Sequence, residues 1–401
     1  MCLLVKPKRK GENMLKYSKI LIKVILLLSI LTLSGGILMK KNVYIIVYFL
    51  LLLFLTCGCK SNPTEPVSDK SYKIIFDLKD SSGYRDIYIM NVDGSNKIKL
   101  TNIAQGWYGY PVLSPDKNKI AFTSYSNGNV EIFTMNIDGS DIKQLTNFFE
   151  PNQSGYVYIW SPDGMKIAYS SHDGIYLINS DGTDERKLTN NIGELGDRNP
   201  SWSPDGNKLA FCSFEGSDSL NILQGTIYII NIDGSDLLPI TNDSINARDP
   251  LWLPDGKTLV FKRPKQSGYN DIYRMNIDGT GLKQITPSDL DVTYMSISPD
   301  GNNIAFCHYV FLYVIDLYVI NIDGSGLQKL NPPGVNMDGL GYVNWSPDGN
   351  KLTFSPGYTI VGQNASDKGI YIINSDGSYL KYLGDGRNPQ LLSFTSSSGI
   401  Y

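Results

Sequence analysis

Residues that could do chemistry are few in this sequence. Its two histidines, His172 and His308, fall in different segments of a repeating pattern. An imidazole-type metal centre needs clustered ligands, and two scattered histidines cannot supply one. Each is expected to be a solvated loop histidine. Carboxylates are more numerous: Glu194, Asp197, Glu215, Asp218 and Asp249 stand in segments that read as loops. A carboxylate pair could do acid–base work on a glycosidic bond, but nothing in the spacing of these five selects a pair. Asp-Gly recurs throughout, yet no Asp-x-Asp-x-Asp-Gly calcium loop occurs, and neither does the Gly-x-Ser-x-Gly elbow of a serine hydrolase. No metal, no cofactor and no catalytic residue is expected. Cys212 and Cys307 each follow Ala-Phe in two copies of the repeat. Equivalent positions two units apart are too distant to bridge, so both read as buried free thiols.

The elements that must position these groups follow from the repeat. An Ile-Tyr pair (Ile-Phe or Leu-Tyr in single copies), a strand and then Asp-Gly-Ser/Thr recur at Asp93, Asp138, Asp181, Asp233, Asp278, Asp323 and Asp376. In all seven copies an Ile or Leu lies six residues before that Asp, and a Leu or Ile lies seven after it. A second marker, Pro-Asp, recurs at Asp116, Asp163, Asp205, Asp255, Asp300 and Asp348, with an aromatic six residues on: Phe122, Tyr169, Phe211, Phe261, Phe306, Phe354. Fixed offsets at a period of about 45 residues are the signature of a repeat architecture.

One copy shows why the residues are there. Trp160-Ser-Pro-Asp-Gly ends one strand; Pro162 presets the turn dihedral, Asp163 bonds locally and Gly164 supplies the positive φ. The next strand, Lys166-Ile-Ala-Tyr-Ser, is short and apolar on both faces, as in a sheet stacked between neighbours. The third strand carries the Ile-Tyr pair. Asn-x-Asp-Gly-Ser is expected to close a hairpin in the turn type that Asp-Gly favours, and a fourth strand ends near Leu-Thr-Asn. Four strands per unit, repeated radially, is the propeller solution to unpaired sheet edges. The domain begins at Tyr72-Lys-Ile-Ile-Phe76 as a second strand, and Arg387-Asn388-Pro389 at the far end echoes Arg198-Asn199-Pro200 at the start of a first strand. The expected fold is therefore all-β: a seven-bladed β-propeller of four-stranded antiparallel blades, closed by the C-terminal strand joining the N-terminal blade. Trp160, Trp202, Trp252 and Trp345 fall at one repeat position, where other copies have Leu113 or Ile297; that pattern points to packing between blades.

Trp-Ser-Pro-Asp-Gly-x-x-Ile-Ala-Phe with Ile-Tyr and Asp-Gly-Ser downstream resembles the PD40 (WD40-like) repeat of TolB-type propellers, across residues 72–401. The resemblance implies fold and an envelope interaction module; it does not by itself imply a function. The α/β domain that precedes the propeller in the periplasmic TolB protein has no counterpart here, so that protein's partners are not carried over. The same repeat precedes the hydrolase domain of prolyl-oligopeptidase-like peptidases, a reading that the missing nucleophile elbow disfavours.

Ahead of the repeats, Met39-Lys-Lys-Asn, the apolar run Val43–Leu55 and Thr56-Cys57-Gly58-Cys59 form a basic, an apolar and a cleavage region in turn. The segment resembles a bacterial lipoprotein signal, which implies lipidation at Cys59. Thr56 stands where that family usually has Leu. An ordinary secretory signal or an uncleaved anchor is the alternative. A second apolar stretch, Ile20–Leu33, lies upstream behind Met14. The expected organisation is residues 1–38 as an annotated extension ahead of a start at Met39, 39–58 as signal, 59–71 as a polar tether, and 72–401 as propeller. A membrane hairpin is the other reading of the paired apolar stretches. The chain's net charge of −3 conceals a basic leader: from Cys59 onward there are 27 basic and 38 acidic residues, a net of −11. An acidic body disfavours nucleic acid.

Strand order decides which loops share a face. First-to-second and third-to-fourth links are short, nearly identical turns; second-to-third and unit-to-unit links, on the opposite face, vary in length. Variable loops on a rigid scaffold are where binding resides. The expected binding face carries Trp107, Tyr108, Tyr110, Phe148, Phe149, Tyr156, Tyr309, Phe311, Tyr313 and Tyr358, residue types suited to protein or carbohydrate contact. About half of them are expected to fold inward against their own loops. The expected function is a monomeric, lipid-anchored, non-enzymatic scaffold for a protein or glycan in the cell envelope, at the periplasm and outer membrane if there are two membranes. The alternative is a glycan-active lyase or hydrolase with its site at the mouth of the channel.

Overall fold

Alternating buried positions on short strands, punctuated by Gly turns, fold into antiparallel meanders. The structure, a computed structural model, describes residues 72–393 apart from 81–82, 102–108, 127, 148–156, 218–222, 243–244, 266–268, 312–313, 332–336, 339–341 and 356–368. The unit Met1–Val67 and the tether, with Cys59, lie outside the described residues. All regular structure among the described residues is β. Five sheets have four strands each, and a nine-stranded one consists of two further four-stranded meanders plus a short extra strand. Those two meanders join through one residue pair, Asn270 opposite Val292.

In chain order, the units begin with the strands Gly109–Leu113, Tyr158–Trp160, Asp197–Trp202, Arg248–Trp252, Val292–Ile297 and Tyr342–Trp345. The N-terminal unit has Tyr72–Lys79, Arg85–Asn91 and Ile98–Lys99, with the late strand Arg387–Ser393 antiparallel to Tyr72–Lys79, Ile74 facing Leu391. First strands lie beside one another in successive units except between Arg248–Trp252 and Val292–Ile297, and Arg387–Ser393 touches both Gly109–Leu113 and Tyr342–Trp345.

The recurring aromatics form the inner layer of every unit. Phe76, Phe122, Tyr169, Phe211, Phe261, Phe306 and Phe354 are fully buried. Each lies opposite the aromatic of the Ile-Tyr pair on the third strand. The seven rings pairs stack at 5.4–6.2 Å between centroids and 11–22° between planes. Ile75, Ile87 and Leu392 of the N-terminal unit pack with Ile120, Phe122 and Met135 of the next, so the core sits between sheets. The tryptophans reinforce those contacts. Trp160 donates its indole N–H to the Val112 carbonyl at 3.0 Å, Trp202 to Ile159 at 3.3 Å and Trp345 to Ser296 at 3.0 Å. Each acceptor lies on the first strand of the preceding unit.

The turns differ in one respect from expectation. Asp93 does not take a positive φ; only Gly94 does, at 84°. The Gly94 N–H donates to the Asn91 carbonyl and the Asn91 N–H to the Ser95 carbonyl, which is a type I turn followed by a left-handed glycine bulge rather than a two-residue primed turn. The aspartate contributes through its side chain instead: Asp93 Oδ1 accepts from the Ser95 N–H at 2.9 Å and from its hydroxyl at 2.5 Å. The Pro-Asp turns are built alike, with Asp163 Oδ1 accepting from Ser161 Oγ and the Met165 N–H. Where Gly is replaced, at Lys117, the backbone still takes φ 62°.

A second device ties the third strand to the fourth. Thr146 Oγ1 accepts the Ile132 N–H at 2.9 Å and donates to Glu131 Oε2 at 2.6 Å, with both residues buried. Thr101 does the same with Ile87 and Asp86. In the next unit Thr189 accepts the Ile175 N–H at 3.0 Å, but Gly174 stands in the acid's place. A Cβ there would lie 2.3 Å from the Thr189 carbonyl oxygen, so only glycine fits.

Candidate functional site

The first strands do not run regularly to their ends. Four of them carry a register shift beside an X-Pro pair, and the residue before Pro is left-handed: Tyr110 (φ 54°), Asn199 (57°), Asp249 (54°) and Asn388 (51°). The extra residue of such a bulge re-aims a side chain. All four lie toward the N-terminal end of the strand, away from the Pro-Asp turn, and so on the face of the variable links. Asn and Asp adopt this conformation readily; a bulky aromatic does not.

Of these, Tyr110 meets the bulge-equivalent residue Tyr342, which packs on its counterpart Tyr294. Tyr294 packs on Tyr342 with centroids 4.6 Å apart, and Tyr110 meets the same ring edge-on at 6.0 Å. Tyr110 and Tyr342 belong to units separated in space by the Arg387–Ser393 strand. Burial, with the neighbouring Tyr294 and Tyr110 phenols, pushes the Tyr342 pKa up. Next to Tyr294 stands Lys262, its Nζ 5.9 Å from the ring centroid. Lys262 pairs with Asp249 Oδ2 at 2.6 Å and donates to the Thr293 carbonyl at 2.7 Å. Asn199 donates to Asp249 Oδ1. On the N-terminal unit, Asn388 donates to the buried Asp77 at 2.7 Å, and Arg85 pairs with the same carboxylate at 2.5 Å. Burial raises the Asp77 pKa against the pull of that guanidinium. The result is an arc of phenol rings and compensated charges where the first strands converge.

The structure sorts the candidate residues. Tyr110 is half exposed, at 52%, and belongs to the arc. Tyr309 stacks on Tyr269 with centroids 5.3 Å apart, so it is committed to packing between neighbouring units. Phe311 ends its strand opposite Val314. Trp107, Tyr108, Phe148, Phe149, Tyr156, Tyr313 and Tyr358 lie outside the described residues, as does Asp218. Several expectations of loop placement are corrected: Glu215 lies in the strand Lys208–Ser217 and Asp249 in Arg248–Trp252. His308 is no solvated loop residue: it lies in a strand, and its Nδ1 accepts the Asp291 N–H at 2.8 Å. Asp197 is fully buried, with Oδ1 accepting the Ile192 N–H at 3.1 Å, and Asp249 is locked in its ion pair. Glu194, Glu215 and His172 are exposed. Among the described residues no three of His, Cys, Asp and Glu are grouped to hold a metal. Cys212 and Cys307 are buried and free.

Two cavities open on the opposite side, among the Pro-Asp turns. One of about 560 Å³ is lined by Asp300, Gln328, Trp345 and Asp348; a second, of about 290 Å³, lies among Leu113, Pro115, Pro347 and Gln390. Their carboxylates are engaged by their own turns: Asp300 accepts from Ser298 Oγ at 2.5 Å and from the Asn302 N–H. Sequence reasoning missed Tyr294, Tyr342, Lys262 and Asn199 as site residues. For Asn199 the available signal was the X-Pro pair three residues ahead of the tryptophan position; Tyr294, Tyr342 and Lys262 precede no proline and carried no such signal.

Comparison with known proteins agrees with this architecture. The TolB β-propeller domain profile, PD40, matches residues 73–219 and 160–311. A TolB homologue from Chlorobaculum tepidum is 31% identical over 124 residues, which is 29% of this chain and 26% of the relative. The match thus spans about a quarter of that relative's length. Among solved structures, an oligogalacturonate lyase from Vibrio parahaemolyticus superposes with a TM-score of 0.56 at 15% identity, covering 78% of this chain and 86% of that one. A puromycin-hydrolysing peptidase from Mycobacterium tuberculosis gives 0.58 at 14% identity, covering 83% and 55%. At these identities the likeness is one of fold. With its repeats matched over more than half its length, the chain belongs to the TolB β-propeller (PD40) family.

Proposed function

We propose that this chain is an exported, lipid-anchored scaffold of the bacterial cell envelope, which holds a protein or glycan on the variable-link face of a seven-bladed ring. In this reading the seven meanders are seven blades, and Arg387–Ser393 serves as the first strand of the N-terminal one. Residues 1–38 are not translated, 39–58 are removed as a signal, Cys59 carries the lipid, and 59–71 space a monomeric body from the membrane. In a two-membrane bacterium the protein belongs to the periplasm and outer membrane, and otherwise to the cell surface.

One observation carries the binding face: the two faces are unlike. The turn face repeats one self-satisfied turn, its aspartates accepting from Ser and backbone N–H groups two residues on. The other face gathers Tyr110, Tyr294 and Tyr342 around a strained backbone position. Catalysis is disfavoured by the commitment of Asp249, Asp300 and Asp348 to bonds within the fold. Intact-mass analysis of the membrane-fraction protein, expressed from its own leader beside Cys59→Ala, tests the anchor. A mass for residues 59–401 plus acyl groups, absent in the variant, supports it; an unmodified chain, or one keeping residues 1–58, overturns it.

A further inference from the structure

We infer that the cavity of about 560 Å³ among the Pro-Asp turns binds an alkyl diamine through its ammonium groups. This site lies on the face opposite the phenol arc, so the inference goes beyond the binding-face reading and does not rest on it. The repeat supplies the template. Three residues after the Asp of a Pro-Asp turn, three of the four lysines at that position reach the Asn that opens the following Asp-Gly turn. Lys166, Lys208 and Lys351 donate to Oδ1 of Asn179 at 2.7 Å, Asn231 at 2.5 Å and Asn374 at 2.9 Å. Lys166 Nζ also lies 3.8 Å from Asp184 Oδ2. In the unit of Val292–Ile297, Asn303 stands at the lysine position and Gly326 at that of Asp184. Asn321 still holds its turn, its Nδ2 donating to Ser325 Oγ at 2.9 Å, but among the described residues no donor reaches its Oδ1. Thr258 replaces the lysine in another unit, where its hydroxyl closes on Asp255 Oδ2 at 2.8 Å. Asn303, Asn321 and Gly326 all line the cavity. It therefore presents an acceptor that elsewhere in this fold takes an ammonium.

The walls give charge and shape. Asp300 comes from one unit and Asp348 from the next, and the lining holds no Lys or Arg. Lys283 and Lys351, on adjoining turns, are committed to the Asp323 carbonyl at 2.7 Å and to Asn374. Both carboxyls are charged at neutral pH. Bonds from Ser298 and the Asn302 N–H lower that of Asp300, and at Asp348 burial is outweighed by bonds from Ser346, Tyr72 and Asn350. Engagement in the turn leaves such a carboxylate able to draw a cation: Asp163 is lowered by its Ser161 and Met165 bonds and further by the Lys166 ammonium. The net charge of −11 from Cys59 onward favours cations at longer range. Trp345 and Val319 add apolar wall for a methylene chain, and the volume suits a small molecule. A linear diamine matches all of this, with three N–H donors at each end for Asn321 and the two carboxylates.

The test titrates the detergent-solubilised full chain by calorimetry with cadaverine, pentylamine and the neutral diol of the same chain length. Cadaverine is expected to bind with saturation and the diol not at all. Pentylamine should bind about threefold more weakly than cadaverine, as it forms one ion pair fewer. Asn303→Lys supplies the ammonium from the chain itself and should weaken cadaverine about tenfold or more, because like charges then share the site. Met165→Lys adds the same charge at an exposed position on the same face and should stay within about threefold, since solvent and salt screen it. Asn321→Asp turns the acceptor into a carboxylate and should tighten cadaverine about threefold, which keeps the test open if Asn303→Lys does not fold. No binding of cadaverine, or equal binding of the diol, overturns the inference. So does an Asn303→Lys protein that melts like the wild type and binds as tightly, an equal loss in Met165→Lys, or an Asn321→Asp protein that binds no more tightly. Pentylamine binding as tightly as cadaverine overturns the diamine and leaves a site for a single ammonium, such as a partner's lysine.

Discussion

Replacing Thr146 with valine tests whether the buried Thr–acid lock stabilises each unit as its geometry implies. Valine keeps the shape and removes the hydroxyl. The Ile132 N–H then loses its acceptor at 2.9 Å and Glu131 loses a donor at 2.6 Å, both in the interior. A buried N–H left unsatisfied costs about 1–3 kcal/mol, and a bond to a carboxylate contributes about as much. The expected loss is about 2–4 kcal/mol. Thr189→Val is the internal control. It removes only the bond from the Ile175 N–H, because Gly174 leaves no acid to donate to, so its expected loss is about 1–2 kcal/mol. At roughly 2 cal/mol/K per residue, 1 kcal/mol corresponds to about 1.5 °C in a domain of this size. Scanning calorimetry should place Thr146→Val about 3–6 °C below wild type and Thr189→Val about half as far. Equal losses, or a larger one for Thr189→Val, would show that the carboxylate adds nothing.

Three further outcomes follow from the structure. Asp348 has its carboxyl held at about 2: burial opposes the charge, but hydrogen bonds from Ser346, Tyr72 and Asn350 outweigh it. A depressed carboxyl contributes stability above its unfolded value near 3.9, and that stability is lost as pH falls toward 2; Tyr72→Phe should flatten the fall between pH 4 and 2, and an unchanged slope in urea titrations would contradict this. The Cys307 thiol is pushed up to about 12 by burial, and burial raises Cys212 as well, so peptide mapping should find neither labelled by Ellman's reagent at pH 8 until guanidinium is added. Deleting residues 387–401 removes the strand paired with Tyr72–Lys79 and should lower the melting temperature sharply; an unchanged value would refute closure of the ring by that strand.

The fold was legible because the repeat writes its contacts at fixed offsets. Phe211 and Tyr228 stand at the two marked positions of one copy and are found stacked at 5.8 Å. Trp160, Trp202 and Trp345, read as packing between units, do bridge to the preceding first strand. The site was far less legible. Tyr110 and Tyr342 are more than 200 residues apart in the chain and meet only through tertiary contact, on either side of Arg387–Ser393. Lys262 points toward Asp249 because a bulge turns that aspartate inward, and a bulge leaves only an Asp-Pro pair in the sequence. His308 looked like a loop residue because strand length varies among copies; Asn303–Phe311 runs nine residues where Lys351–Ser355 runs five.

Photo-crosslinking in living cells tests the binding face most directly. A crosslinking amino acid is placed at Val310 or Tyr84, exposed on the variable-link face, and at Met165, exposed among the Pro-Asp turns. The account predicts discrete adducts, protein or glycan, from Val310 and Tyr84 and none from Met165. Adducts from Met165 alone, or equal capture from both faces, would contradict it.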